Sequence, residues 1–159
     1  MTTKRENVKY DALGLPNVTL LNIPVSRCAS CGEYEVGVER IEALHAAIAG
    51  ELALRPFRLT PQEIRFLRTY LDLTQEHLGR VIGVEPATVS RWESIRRPVP
   101  MSHAAERLLR VLTAQELRLR PPAIQWLEAI SDGTPGPALW RFAVAPKGTW
   151  RREDGDSKG

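Results

Sequence analysis

The chain has 159 residues, 43% of them hydrophobic, and a formal net charge of +3, enough for one medium domain or two small ones around a buried core. Two cysteines, Cys28 and Cys31, are too few and too close to staple a secreted scaffold, and no apolar run approaches membrane-spanning length. With no apolar stretch behind the charged start Met1-Thr-Thr-Lys-Arg-Glu-Asn7, a cytoplasmic protein with no membrane contact is expected.

The charge is unevenly spread. Residues 1 to 54 carry 5 Lys and Arg against 7 Asp and Glu, residues 55 to 120 carry 12 against 7, and residues 121 to 159 carry 5 of each. A basic middle third is what phosphate neutralisation requires, although a solvated Arg-rich face gives the same count.

Residues 8 to 38 read as β structure: Val18 to Val25, a tight Cys28-Ala-Ser-Cys31-Gly32 turn, then Tyr34 to Val38, a hairpin with a cysteine knuckle at its tip. From Glu39 the period changes. Ile41, Leu44, Ile48 and Leu52 recur at intervals of 3, 4 and 4, which predicts an amphipathic helix ending near Leu54, followed by the linker Arg55-Pro-Phe-Arg58.

Thr60-Pro-Gln-Glu63 is a capping box with proline at the first helical position, so a helix starts there, with Ile64, Leu67 and Leu71 on one side. It ends near Leu71, where Asp72 tolerates a left-handed conformation. Thr74 caps a short helix from Gln75 to Ile82 that buries Leu78 and Ile82; Gly79 leaves room for another helix, and Gly83 breaks the run. Pro86 opens a third helix through Ser94, with Val89 and Trp92 inward and Ala87, Thr88 and Arg91 outward. Two short helices joined by a glycine turn, the second projecting small polar residues and an arginine, have the geometry of a recognition helix in the major groove.

The stretch from Leu73 to Glu93, with its Leu-Thr-Gln opening, turn glycine and Val-Ser-Arg-Trp-Glu ending, closely resembles the phage-repressor-like (Xre-type) helix-turn-helix family, over Leu59 to Thr113. That resemblance implies that Thr74 and Gln75 hold a phosphate and that the exposed face of the third helix reads bases. The order along the chain, a Cys-x-x-Cys-Gly knuckle, a linker helix, then Leu-Thr-Pro-Gln-Glu-Ile-Arg-Phe-Leu-Arg68, is similar to the MqsA-like antitoxins. Members of that family bind zinc through two Cys-x-x-Cys pairs, neutralise a toxin with the N-terminal domain, and repress their own operon as dimers. Here one pair is present, and no cysteine precedes Leu13.

Among the outward residues, Arg91 can meet guanine O6 and N7, a contact worth about 1 to 3 kcal/mol of discrimination. Ala87 can touch a thymine methyl, Thr88 can bond a base edge or a phosphate, and Glu85 can only accept, from a cytosine amine for example, or serve as a charge at the helix N-terminus. Ser90, Arg96 and Arg97 are expected on phosphates, and Arg68 and Glu93 are expected to form an ion pair. Two half-sites about 34 Å apart call for a homodimer. Leu108, Leu109, Val111, Leu112, Leu117, Leu119, Ile124, Leu127 and Ile130 supply apolar surface for it, or pack on one another within the chain.

Cys28 and Cys31 offer two of the four ligands zinc wants. A zinc shared across a dimer, a redox pair and a vestigial knuckle without metal are the open readings, the last favoured. Gly32-Glu-Tyr-Glu leads into a strand, unlike thioredoxin-type chemistry. His45, His77 and His103 fall in separate helical segments without a triad partner, and no phosphate-binding glycine loop occurs, so no enzyme is expected.

The expected class is α+β: a β hairpin and knuckle domain (1–38), a linker helix (39–58), an all-α, five-helix repressor-like domain (59–132) and a C-terminal extension (133–159). Ala123 to Ser131 reads as one more short helix, and Trp140, Phe142 and Val144 alternate as a strand would. The polar tail after Pro146 is expected to be disordered. The function expected is a sequence-specific DNA-binding repressor, the antitoxin of a toxin pair, with double-stranded DNA, a second copy and a toxin as partners. The alternative is a stand-alone regulator sensing metal, thiol state or a small ligand.

Overall fold

The computed structural model of the chain describes residues 1–130 and 140–153. It is mixed α+β, in the order β1 (Thr2–Lys9), β2 (Val18–Arg27), β3 (Tyr34–Val36), α1 (Ile41–Leu54), α2 (Pro61–Tyr70), α3 (Gln75–Ile82), α4 (Pro86–Trp92), α5 (His103–Glu116), α6 (Ala123–Glu128), β4 (Trp140–Val144) and β5 (Trp150–Arg152). Two compact units divide the chain, Met1–Ala47 with Pro137–Gly159, and Ile48–Gly136.

The first unit is a sheet in the order β1-β2-β4-β5, with β3 also on β2. β1 lies antiparallel along β2 from Thr2↔Arg27 to Lys9↔Thr19. On the other edge β4 pairs in parallel at Val18↔Trp140 to Leu20↔Phe142, and β3 pairs antiparallel at Val25↔Val36 to Arg27↔Tyr34. The turn between β2 and β3 is closed by Cys28 N–H on Glu33 O (2.8 Å) and Gly32 N–H on Cys28 O (3.1 Å).

Val18, Leu20, Ile23 and Val25 are buried, so the alternation slips by one residue between Leu20 and Ile23. A register shift between Glu6 and Val8 and a positive φ of 56° at Asn22 absorb the extra residue, and the Asn22 N–H is held by Asn7 Oδ1 at 3.1 Å. Without that bulge, everything beyond it would turn its apolar side to solvent.

Three sequence expectations are corrected in this unit. β structure starts at Thr2, not at residue 8: β1 is an edge strand whose run Thr-Thr-Lys-Arg-Glu-Asn shows no apolar alternation, because an edge strand needs only its backbone pairing and gains protection from its charges. Of the expected separate extension 133–159, residues 140–153 belong to this sheet: β4, where the sequence alternates as a strand, lies beside β2 and buries Trp140 and Phe142. The tail after Pro146 is not disordered throughout, because β5 pairs with β4 and Trp150 is buried with its indole N–H on Glu39 O at 3.0 Å. Residues 133–139 and 154–159 of the expected extension, and Ser131 of the expected last helix, lie outside the described residues.

In the helical unit Thr60 caps α2 as the sequence dictates. Its hydroxyl accepts from Glu63 N–H (3.3 Å), and Glu63 Oε1 accepts from Thr60 N–H (2.8 Å). Asp72 takes a φ of 57° and Gly83 a φ of 88°, each turning the chain after a helix. The interior holds Ile64, Leu67, Leu78, Val89, Trp92, Ala105 and Leu109.

This unit is also held by a buried ionic web. Arg55 meets Glu63 at 2.5 Å, and Arg58 meets Glu106 at 2.5 Å. Glu106 in turn accepts from Leu59 N–H (2.6 Å) and from Arg110 (3.2 Å). The Arg110 guanidinium, fully buried, donates to the carbonyls of Leu52 (3.0 Å), Ala53 (3.2 Å), Arg55 (2.8 Å) and Phe57. It thereby satisfies the carbonyls that the end of α1 leaves without helical partners. Burial pulls its pKa down against the counter-pull of Glu106, and the charge is tolerated because both Nη atoms are bonded, Nε alone having no partner among the described residues.

Candidate nucleic-acid interface

α3 and α4 are set against each other by the turn at Gly83. A Cβ on Gly79 would stand 2.7 Å from Val84 O and 3.5 Å from Pro86 N, so this glycine makes room for the turn's backbone and for the start of α4. Its carbonyl accepts both Gly83 N–H (2.8 Å) and Val84 N–H (2.9 Å), which closes α3.

A polar brace fixes the two helices to α2. Arg68 and Glu93 form the expected ion pair through two bonds, Nε to Oε1 at 2.5 Å and Nη2 to Oε2 at 3.0 Å, and Arg68 also donates to Leu73 O at 2.7 Å. Glu93 sits at the end of α4 and Leu73 just before α3, so one guanidinium ties both helices of the motif. Gln75 is drawn in as well, donating from Nε2 to Glu93 Oε2 at 2.9 Å. Thr74 caps α3 by accepting from His77 N–H at 3.0 Å.

The outer face of α4 contrasts with this. Ala87, Ser90 and Arg91 are exposed and Thr88 half-exposed, while Val89 and Trp92 are buried beneath them. Among the described residues the side chains of Thr88, Ser90, Arg91 and Arg96 make no intramolecular hydrogen bond or ion pair. α4 itself ends at Trp92, two residues before the Ser94 expected from the sequence, and Ser94 Oγ accepts from Arg97 N–H at 3.2 Å. Val99 N–H returns to Arg91 O at 3.4 Å, so the loop bearing Arg96 and Arg97 doubles back on α4. The structure thus gathers Ala87, Thr88, Ser90, Arg91, Arg96 and Arg97 on one helix and its following loop, and holds Thr74 and Gln75 at the start of the neighbouring one.

What the sequence missed here is Gln75's bond to Glu93. No local signal marks it, because the bond closes only when the start of α3 and the end of α4 are brought together.

The cysteine turn offers two thiols to a metal. Cys28 and Cys31 are both unoxidised, and among the described residues no group of three or more His, Cys, Asp and Glu comes together. His45 is engaged elsewhere, 3.2 Å from Tyr10 Oη. Two thiols do not fill a tetrahedral site, so the turn does not fit zinc within one chain. Its thiols are nonetheless distinct. Cys28 Sγ lies 3.0 Å from Ser30 Oγ, and that bond, with the Cys31 and Ser30 amides and the Cys31 thiol, pulls the Cys28 pKa down to about 6.

Among the described residues no helix is long and apolar enough to cross a membrane. No curated protein and no solved structure matched the chain. Residues 62–130 match the family of helix-turn-helix domains, so the centre of this chain is a helix-turn-helix domain of the kind found in DNA-binding transcription regulators.

Proposed function

We propose that the protein is a sequence-specific transcriptional repressor that binds duplex DNA as a homodimer, reading bases with Ala87, Thr88 and Arg91. Thr74, Gln75, Ser90, Arg96 and Arg97 hold phosphates and fix register. The observation that carries this reading is the outer face of α4, where unpaired polar side chains stand on a scaffold locked by the Arg68–Glu93 pair. Support for a second copy comes from Val111, Leu119 and Ile124, large apolar side chains left exposed on and after α5. Leu109 and Ile130, from the same set of apolar candidates, are instead buried within the chain.

Footprinting of the full-length protein on DNA selected from its own genome tests the reading. Two inverted half-sites centred about 34 Å apart are expected; protection of a single half-site, or of no defined sequence, contradicts it.

The antitoxin role rests on order along the chain, knuckle then helix then repressor domain. It is tested by co-expression with the adjacent reading frame, where a stable complex and relief of growth arrest are expected. One observation favours a second reading, a regulator sensing thiol state: the Cys28 thiol, drawn down to about 6 chiefly by Ser30. Operator affinity that changes on oxidation of full-length protein, and is restored by reductant, would support that reading over the first.

A further inference from the structure

We propose that Glu85 is a specificity-determining residue that accepts a hydrogen bond from an exocyclic base amine, cytosine N4 above all, and so restricts one position of each half-site. This inference rests on the DNA-reading function proposed above.

Glu85 stands at the N-cap of α4 in an extended conformation (φ −68°, ψ 148°), and its side chain makes no capping bond. It is exposed, and among the described residues its carboxylate has no hydrogen-bond or ion-pair partner. The two ordinary uses of a carboxylate at this place are therefore not taken. Two of the three first-turn positions do not require it as a cap. Pro86 has no N–H, and the Thr88 N–H is bonded to Glu85's own carbonyl at 2.9 Å.

Position decides the rest. Glu85 is the exposed residue that immediately precedes α4, and with Thr88 and Arg91 it makes a row of polar side chains at spacings of three. Along this row Arg91 only donates and Thr88 does either, whereas a carboxylate only accepts. Near phosphates that carboxylate is repelled unless a donor meets it. In the major groove the donors are cytosine N4 and adenine N6, and the N6 amine is flanked by the acceptor N7, which repels a second carboxylate oxygen. Guanine O6 and N7 and thymine O4 are all acceptors. Glu85 thus favours one base and penalises the others, which is discrimination by exclusion as much as by attraction.

The test is selection of duplex sites from a random pool by full-length wild type, Glu85→Gln and Glu85→Ala, followed by affinities for the selected site with each base at the restricted position. Wild type is expected to prefer cytosine at that position by about tenfold. Glu85→Gln should move the preference to adenine, because a carboxamide bonds N6 and N7 together. Glu85→Ala should abolish the preference there and leave the other positions unchanged. Since Glu85 is exposed and unpartnered, both variants are expected to fold as wild type does. Identical selected sites for all three proteins, with affinity raised uniformly in the variants, would overturn the inference and leave DNA reading intact. A wild type that selects no sequence would overturn the DNA-reading function itself, and this inference with it.

Discussion

Arg110 and Arg91 belong to the same helical unit, yet one is fully buried with its charge spread over four carbonyls and Glu106, and the other stands exposed without an intramolecular partner. The same division runs through the glutamates. Glu63, Glu93 and Glu106 close buried or half-buried pairs, whereas Glu85 closes none. Residue type does not set the role here; desolvation and the number of partners do. A buried arginine bonded through both of its Nη atoms makes the scaffold one definite shape, and an unpaired one on its outer face keeps its donors for a ligand.

Breaking the web should have the largest effect. Arg110→Ala leaves the carbonyls of Leu52, Ala53, Arg55 and Phe57 without their donor and takes from Glu106 one of its two arginine partners, and a loss of about 3 to 5 kcal/mol in urea unfolding is expected. Arg110→Met together with Glu106→Leu should cost less than the sum of the two single truncations, since the two charges leave together and only Arg58 loses a carboxylate. Gly79→Ala comes next. A Cβ 2.7 Å from a backbone oxygen forces the turn to move, and about 1 to 3 kcal/mol should be lost along with operator binding. Thr60→Ala removes half of the capping box and should cost about 1 kcal/mol, read as a lower thermal midpoint.

The smallest effect concerns pH. Burial lowers the His45 pKa below its ordinary 6.5, with Glu42 pulling the other way. The unfolded chain therefore binds the proton more readily, so stability is lost as pH falls below about 6.5 toward the lowered folded value. His45→Gln, which cannot titrate, should flatten that part of the stability profile between pH 7 and 5. An unchanged slope would remove His45 from the account.

Much of the helical unit was readable in advance because its signals are local. Thr60, Thr74, Asp72 and Gly83 each mark a helix boundary by their own chemistry, and Val89 with Trp92 shows which side of α4 is inward. The web was not readable, since nothing about Arg110 in the run Arg-Leu-Leu-Arg-Val distinguishes it from a solvated helical arginine with an i,i+4 glutamate; its carbonyl partners lie more than 50 positions away. The sheet was half readable for a related reason. Val18 to Val25 carries its own β pattern, but β1 has no apolar alternation and β4 finds β2 from more than 120 positions downstream. Pairing across that separation leaves no mark on either segment. Of the interface, α4 was legible from its inward pair. Its shorter extent, and the bond that draws Gln75 toward Glu93, emerge only from the folded arrangement.

The most direct test of the contrast is competition binding of full-length wild type and Arg91→Ala to the selected operator and to random DNA, with unfolding measured on the same samples. The account predicts stability within about 0.5 kcal/mol of wild type, operator preference reduced by about ten- to a hundredfold, and binding to random DNA largely kept. Loss of stability in Arg91→Ala, or an equal loss of affinity on every sequence, would contradict the claim that the outer face of α4 reads bases while the buried web holds the fold.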